Sequence, residues 1–360
     1  MKKLIFSVLA VAAMASCSKS ELVERPADAT IAVKSEVLTV KQGSKAPFEG
    51  ITATESLTAR VIASKVSGNF DPTDAANWHD DNMVFVDGSN TTPVGYNPSR
   101  AYPTDGSSVF LCGLYPASTT DWINFSTGTT GGVTKTTVEY VFDGKTDVML
   151  AAQVETKKSE VLATPAVHKT LQFNHMLTKL VVRAKANTTG AITDFGGITD
   201  IILTKANGNQ PNTTMMGTLN DGTADPSKAT SFQTPVASIP FYTVDASGVG
   251  TDTAFAGQNV ALVYVDNTTV TEAPKVAYSM VTPIIADGTE DYELLVKTEK
   301  NTDGFAVKVN LKQPGNTAFT GSTQGKAFVI TLDFESTPIE ALGTVTAWDE
   351  VVLPDDITIK

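Results

Sequence analysis

The sequence has few of the side chains on which most catalytic and metal sites depend. Among its 360 residues there are two cysteines and three histidines. No His-x-x-x-His or Cys-x-x-Cys spacing occurs, and no glycine-rich phosphate loop, so zinc and nucleotide sites have no support. The serine in Gly321-Ser322-Thr323-Gln324-Gly325 comes one place too early for a nucleophile elbow. We therefore predict no catalytic residue, no cofactor, no metal and no enzymatic activity.

Basic residues are also scarce. Lys and Arg number 27 against 39 Asp and Glu, which gives a formal net charge of −12 at pH 7. A chain this acidic is a poor partner for the phosphate backbone of nucleic acids, so we predict no nucleic-acid partner. Acidic residues concentrate at 71–81 and 287–291 without the spacing of a calcium loop. We interpret both stretches as solvated loops; a weak surface calcium site is the alternative.

The apolar run Leu4–Ala15 is about a dozen residues long, too short to cross a bilayer of roughly 30 Å. It follows Met1-Lys2-Lys3 and ends in small residues, an order typical of a secretory signal peptide. Cys17 comes directly after it, which resembles a bacterial lipobox. We predict a signal peptide at 1–16 and lipidation of Cys17, which would tie the mature protein to the outer membrane without a transmembrane helix. An ordinary secretory signal is the alternative.

Cys112 is the only other cysteine. A lipidated Cys17 leaves it no partner for an intrachain disulfide, although export would permit one. Because it lies in an apolar run, we interpret Cys112 as a small buried hydrophobe rather than a reactive thiol.

Period-two alternation of apolar and polar residues repeats along the chain and predicts strands with one apolar face, as in a β-sandwich. Turn-forming Gly, Asn, Asp, Thr and Pro separate these strands. The best helical candidate is one short turn at 74–78. The alternating apolar sets are Val138, Tyr140 and Phe142; Tyr292, Leu294 and Val296; Phe305, Val307, Val309 and Leu311; and Phe328, Ile330, Leu332 and Phe334.

The order of these patterns predicts two domains. Residues 17–29 are polar and aperiodic, which is typical of a flexible tether. A charged stretch at 157–160 and a long strand beginning near Thr170 place a boundary close to residue 167. We therefore predict an N-terminal β-sandwich domain at 30–167 and a C-terminal one at 168–360.

Histidine and tryptophan offer the remaining candidates for chemistry. His175 lies between apolar residues at a strand, which favours a hydrogen-bonded structural histidine over a catalytic base. Trp78, Trp122 and Trp348 are far apart and differently flanked. Core or interface packing is the favoured interpretation, and a carbohydrate-binding platform is the alternative.

Several segments resemble one family, the fimbrillins, and among them the short-fimbria-like branch of lipoprotein-derived pilus subunits of Gram-negative anaerobes. Phe-x-His-x-Leu-x-Lys, at Phe173–Lys179, is the most specific of them. Trp348 near the C-terminus and the signal with Cys17 agree with the family pattern. The other matching segments are Val109–Pro116 and Asp147–Ala152, and the larger segment around the histidine is Leu171–Leu180.

The resemblance implies an all-β fold of two tandem β-sandwich domains, transthyretin-like or Greek-key, with long loops. It also implies a route of assembly at the cell surface that serves adhesion. A lipid-anchored precursor sits in the outer membrane, and a surface trypsin-like protease frees its first strand. A strand of another fimbrial subunit then fills the groove, and the subunits form a head-to-tail fimbria.

For this chain the removable first strand is 30–41, with Ile31, Val33 and Val37 on one face. The basic, flexible loop 41–47 follows it and is expected to carry the cut. The family's cut usually follows arginine and this loop has none. Lys45 best occupies the position, with Lys41 and Arg60 as rivals.

At the other end, residues 343–360 are the candidate donor strand, and they span about 55–60 Å when extended. Val345, Ala347, Ile357 and Ile359 are its alternating apolar residues. The alternative is that this segment closes its own domain.

Two other functions stay open. One is a surface lipoprotein that binds glycans without polymerising, which exposed tryptophans lining one concave face would favour. The other is a hydrolase, which a tight His–carboxylate–Ser/Thr cluster in a cleft would favour.

Overall fold

The regular secondary structure of the described residues is almost all β-strand, which confirms the predicted all-β, sandwich-type fold class. A computed structural model describes residues 29–37, 56–86, 89–224, 235–246, 248–265, 273–313, 317–335 and 357–359, the last three by their backbone alone. Its helices are α1 (Lys158–Val161) and α2 (Thr189–Phe195).

The strands of the first half are β1 (Ala32–Val37), β2 (Leu57–Ser64), β3 (Trp78–Phe85), β4 (Val94–Gly95), β5 (Val109–Tyr115), β6 (Trp122–Thr130), β7 (Val133–Val141), β8 (Met149–Thr156) and β9 (Thr170–His175). Those of the second half are β10 (Thr178–Ala186), β11 (Ile198–Ala206), β12 (Thr214–Thr218), β13 (Thr223–Ala224), β14 (Ile239–Pro240), β15 (Tyr242–Val244), β16 (Gly250–Ala254), β17 (Lys275–Val281), β18 (Ile285–Ala286), β19 (Tyr292–Thr298), β20 (Phe305–Val309), β21 (Lys312–Gln313), β22 (Thr317–Ala318), β23 (Gly321–Ser322), β24 (Ala327–Phe334) and β25 (Ile357–Ile359).

Seven strands form a sheet in the order β3-β2-β5-β8-β9-β1-β4. We call it the curled sheet because its two end strands, β3 and β4, contact each other. The backbone N–H of Asn97 donates to Asp80 Oδ2 at 2.8 Å across that junction. The sheet wraps around an inner core that includes Ile31, Val33, Leu57, Ala59, Val61, Phe85, Tyr96, Tyr102, Leu111, Met149, Leu171 and Phe173.

A second sheet, β13-β12-β7-β6, packs on the outer face of the curled sheet. Gly217 of β12 lies so close to β8 that a Cβ there would stand 2.4 Å from Leu150 Cδ1. The outer core between the two sheets contains Ile62, Cys112, Leu114, Trp122, Val138, Tyr140, Leu150 and Met215. The outer face of β2, β5 and β8 is therefore covered by protein, whereas outward Glu36 of β1 and Gln172 of β9 are exposed.

The second half is a sandwich. A six-stranded sheet, β16-β15-β17-β10-β24-β25, faces a four-stranded sheet, β14-β11-β19-β20. Alternation explains the packing, since Phe328, Ile330 and Leu332 of β24 are fully buried between the sheets. The predicted strands that contain these residues, and those at 138–142, 292–296 and 305–309, are all present.

The change from one half to the other comes between β9 and β10. The predicted second domain starts at 168, but β9 pairs with β8 and β1 of the curled sheet. The segment 214–224 also belongs to the first half, because β12 pairs with β7. The two halves share one outer core that runs from Ile62 to Phe334.

The longest helix in the described residues, α2, has local causes. Thr188 caps its N-terminus by accepting a hydrogen bond from Ala191 N at 3.1 Å. Gly196, at a φ of 70°, ends it in the left-handed region that glycine favours. Residues 74–78, the helical candidate from sequence, form turns that lead into β3 instead.

Candidate functional site: the seat of the first strand

The first strand β1 is held by unequal neighbours. On one side it pairs with β9 in parallel, from Lys34 with Thr170 to Val37 with Phe173. On the other side it pairs with β4 over two residues only. Parallel pairing is slightly less stable per residue than antiparallel pairing. We call β9, β4, Ser89 and residues 97–102 the β1 seat.

Single backbone hydrogen bonds from loops complete the β1 seat. Ile31 N donates to Arg100 O at 2.7 Å, and Ser35 N donates to Ser89 O at 3.1 Å. Tyr102 N donates to Ala29 O at 3.1 Å. Departure of β1 would leave these loop groups and one edge of β9 without their strand partners.

The inward face of β1 is enclosed as far as Ser35. Ile31 and Val33 are 0% exposed, Ser35 is 1% exposed and Val37 is half-buried. The sequence predicts a shared face for Ile31, Val33 and Val37, and all three occupy alternate positions of this strand. Ser35 lies on the same face, and the sequence pattern missed it because it is polar.

Apolar and phenolic side chains line the β1 seat. Leu171 and Phe173 of β9 are 0% exposed, and Tyr96 and Tyr102 are nearly so. Tyr102 Oη lies 2.9 Å from Thr156 Oγ1. Burial raises the pKa of Tyr102, and it raises the pKa of Tyr96 well above the ordinary value. These groups stay neutral and make the lining apolar in character.

Phe173 is positioned from behind by β5. A Cβ at Gly113 would stand 2.5 Å from Phe173 Cζ, so the ring occupies the space that any larger residue needs. Gly113 and Phe173 come from two of the segments that carry the fimbrillin resemblance. The structure thus brings these two segments into direct contact beneath the β1 seat.

His175, also in β9, is a buried structural histidine in its contacts. Its Nδ1 lies 2.7 Å from Asp147 Oδ2, and the two side chains are 3% and 0% exposed. Asp147 starts another of the resemblance segments. Because the pair is closed to solvent, it has no cleft in which to meet a substrate.

The predicted cut sites differ in what the structure describes. Lys41 and Lys45 lie outside the described residues. Arg60 lies inside β2, where its Nε is 2.7 Å from Asp81 Oδ1 and its side chain is 7% exposed. Its guanidinium also stands over the ring of Phe125, 5.8 Å from the centroid. A protease needs an extended and accessible chain, so Arg60 is excluded as a cut site in the folded protein.

The predicted donor strand is described only at its end. Ile357–Ile359 form β25, which pairs in parallel with Leu332–Phe334 at the edge of the six-stranded sheet. In the isolated chain this end therefore lies on its own domain. Val345 and Ala347 lie outside the described residues, and so does the predicted lipidation site Cys17.

Neither described tryptophan is exposed as a carbohydrate platform requires. Trp122 is 3% exposed, and its Nε1 donates to Pro116 O at 2.8 Å. Trp78 is half-buried against the inner core. Trp348 lies outside the described residues.

The two acidic stretches cap turns. Asp74 Oδ1 accepts from Ala76 N at 2.9 Å, and this hydrogen bond lowers the pKa of Asp74. Asp291 accepts from the backbone of Asp287, Gly288 and Leu311. Within the described ranges, no three His, Cys, Asp or Glu side chains converge as metal ligands would.

Cys112 is fully buried, and burial raises the pKa of its thiol well above the ordinary value. A thiol in that state is a poor nucleophile, so the residue packs as a small hydrophobe. Neither helix in the part of the chain that the structure describes has the length and apolarity to cross a membrane.

No protein-family model matches the chain, and no curated protein matches it. Several solved structures match the chain. A candidate cell adhesion protein from Bacteroides uniformis matches at 17% identity and a TM-score of 0.46, over 90% of this chain and 100% of that chain. A fimbrial protein from Bacteroides vulgatus matches at 12% identity and a TM-score of 0.42, over 85% and 95%. The fimbrial anchor protein Mfa2 from Porphyromonas gingivalis matches at 12% identity and a TM-score of 0.32, over 78% and 81%.

These identities and TM-scores are too low to carry an argument. The proposals below depend on the residues and contacts of this chain.

Proposed function

We propose that this chain is a structural subunit of a cell-surface fimbria that serves adhesion. It would be exported as a precursor held in the outer membrane by a lipid on Cys17. A trypsin-like protease would cut the chain after β1, and a strand from another subunit would take the place of β1.

The observation that carries this proposal is the β1 seat. Its strand is buried like a core element and continues through residues 38–55 towards β2. It pairs over four residues with β9 but over only two residues with β4. Strand β4 itself is two residues long.

Removal of β1 would create a strong binding site. Each buried backbone group left without a partner costs about 1–3 kcal/mol. Uncovering the contacts of one Ile or Val side chain costs about 1.5–3 kcal/mol more. An extended strand with apolar residues two apart would restore both the backbone hydrogen bonds and the apolar contacts. This is strand addition to an open sheet edge.

The donor that we propose is the segment 343–360 of another copy or of a related subunit. Val345 and Ala347 stand two residues apart, as do Ile357 and Ile359, which is the spacing of Ile31 and Val33. To donate, the segment must first give up the three-residue pairing of β25 with β24. The contact is head-to-tail and does not close on itself, so its repetition gives an open filament.

Limited trypsin digestion of the purified chain tests the proposal. We expect a cut after Lys45 or Lys41, release of the fragment that carries β1, and a ladder of oligomers that survives mild detergent. Lys41→Gln with Lys45→Gln removes both sites and should abolish the ladder. Lys135→Gln, at an exposed lysine in β7, is the matched control and should leave it unchanged.

Deletion of 343–360 distinguishes the contribution of the donor strand from that of the proteolytic cut. We expect the truncated chain to stay folded by circular dichroism, to be cut as before and to form no ladder. Ladders from the truncated chain would overturn the donor assignment. Efficient release of β1 without any ladder from the full chain would overturn the fimbrial function.

A further inference from the structure

Ser35 is the exception on the inward face of β1. It lies opposite Leu171 in the parallel pairing and is 1% exposed, between the inward positions of Val33 and Val37. Its backbone N–H is satisfied by Ser89 O at 3.1 Å. Its side-chain Oγ has no hydrogen-bond partner among the described protein groups.

A hydroxyl buried in this way weakens the hold on the strand. The hydroxyl loses water without gaining a compensating hydrogen bond, which is unfavourable. Serine also lacks the β-branched shape that packs well on a pleated sheet. The neighbouring inward residues, Ile31 and Val33, have that shape and carry no polar atom. The strand therefore has its weakest contact near the end that continues into residues 38–55.

We propose that Ser35 is a release residue: its buried hydroxyl keeps β1 in its seat more weakly than an apolar residue would, and it makes the seat prefer a strand with a valine-sized apolar side chain at that position. This proposal rests on the proposed function, since it explains how a buried strand is made exchangeable. It assigns the discrimination between β1 and an incoming strand to one side chain.

Hydrogen exchange on the uncut chain tests the first half of the proposal. The Ile31 and Tyr102 amides donate across the edges of β1, so their exchange reports its opening. We expect Ser35→Ala to slow the exchange of both amides about five- to thirtyfold, the factor that 1–2 kcal/mol gives. Ser126→Ala, at an exposed serine of β6, is the matched control and should change neither rate.

Competition between synthetic strands tests the second half. The probes are the peptide of residues 29–37 and the same peptide with Ser35→Val. They are added to the chain that lacks 343–360, after it has been cut and stripped of β1, so that no donor strand competes for the seat. We expect the valine peptide to bind about tenfold more tightly, measured by the fluorescence anisotropy of a labelled peptide. The Thr30→Val peptide changes an outward position and should bind like the natural one.

The outcomes separate this proposal from the fimbrial function. Unchanged exchange in Ser35→Ala would show that the hydroxyl is satisfied and would end the proposal, whether or not ladders form. Equal binding of the serine and valine peptides would contradict the proposed preference of the seat for an apolar side chain at that position. Slower exchange together with an absence of ladders in wild type would support Ser35 and overturn the fimbrial function.

Discussion

The pair of Asp147 and His175 shows how single residues hold the β1 seat in place. His175 ends β9, the long neighbour of β1, and Asp147 precedes β8, the next strand of the same sheet. Their 2.7 Å contact is buried. The backbone N–H of Met176 also donates to Val148 O, so the two chain segments are joined at both side chain and backbone.

Replacing Asp147 with Ala should lower the free energy of unfolding by about 1–3 kcal/mol, because His175 would keep a buried ring nitrogen without its acceptor. Urea unfolding followed by circular dichroism measures the loss. Lys135→Ala is the control, since its partner Asp221 and the lysine itself are about half exposed. It should stay within about 0.5 kcal/mol of wild type. A wild-type midpoint for Asp147→Ala would show that the contact contributes nothing.

For single residues, local sequence patterns predicted which side chains face the core, but they did not predict contacts between residues far apart in the chain. Alternation identified Ile31 and Val33, and apolar flanks identified His175 as structural. Nothing local to His175 points to Asp147, which lies 28 positions earlier. Arg60 looked like a cut site because charge is visible in the sequence, whereas its burial against Asp81 and Phe125 is not.

At the scale of elements, β1 should be separable from the rest of the fold. Val33→Asp puts a carboxylate into the fully enclosed inner core, and a buried unpaired charge is strongly unfavourable. We expect β1 to leave its seat while the other strands stay formed. Lys34 then becomes a trypsin site, and mass spectrometry detects the cut. Ala32→Asp, on the outward face, is the matched control and should leave Lys34 protected.

Lys179, buried in β10, reports on global unfolding in the same digestion. Cutting at Lys34 alone supports a separable β1. Cutting at both lysines with equal speed would mean that β1 unfolds only with the whole protein.

Strands were predictable because a period of two persists wherever one face is buried, as in β19, β20 and β24. The helix α2 was missed because seven residues are too few for a helical period to appear. Its local signals are Thr188 before it and Gly196 after it. The partner of each strand was beyond the sequence, since β1 and β9 pair across more than a hundred residues.

At the scale of the whole molecule, the two halves share a core and exchange strands. Met215 of β12 belongs to the second half by sequence, yet β12 is a strand of the second sheet of the first half, and Met215 is 0% exposed in the core beneath that sheet. Charge and composition, which place a boundary near residue 167, do not show that β12 returns to the first half, because the pairing of β12 with β7 is set by the tertiary fold.

The shared core predicts one cooperative unfolding transition. In a Trp348→Phe background, tryptophan fluorescence reports the first half through Trp78 and Trp122, and exchange of the β24 amides reports the second. We expect the same midpoint from both probes. Met215→Ala should lower the free energy of unfolding by about 2–5 kcal/mol, because it empties buried volume. Both midpoints should therefore fall together. Ile285→Ala, at a residue that is 45% exposed, should move neither. Two separate midpoints would contradict a shared core.

The covalent connection of β1 to the rest of the chain also determines how readily the strand returns after it leaves its seat. While residues 38–55 are intact, the strand returns to its seat from the same molecule, at an effective concentration in the millimolar range. One broken peptide bond makes its return bimolecular. At a micromolar concentration of free strand this costs about 4 kcal/mol, although no contact inside the seat has changed. Dilution at the cell surface, rather than any force on the strand, would then drive the exchange forward.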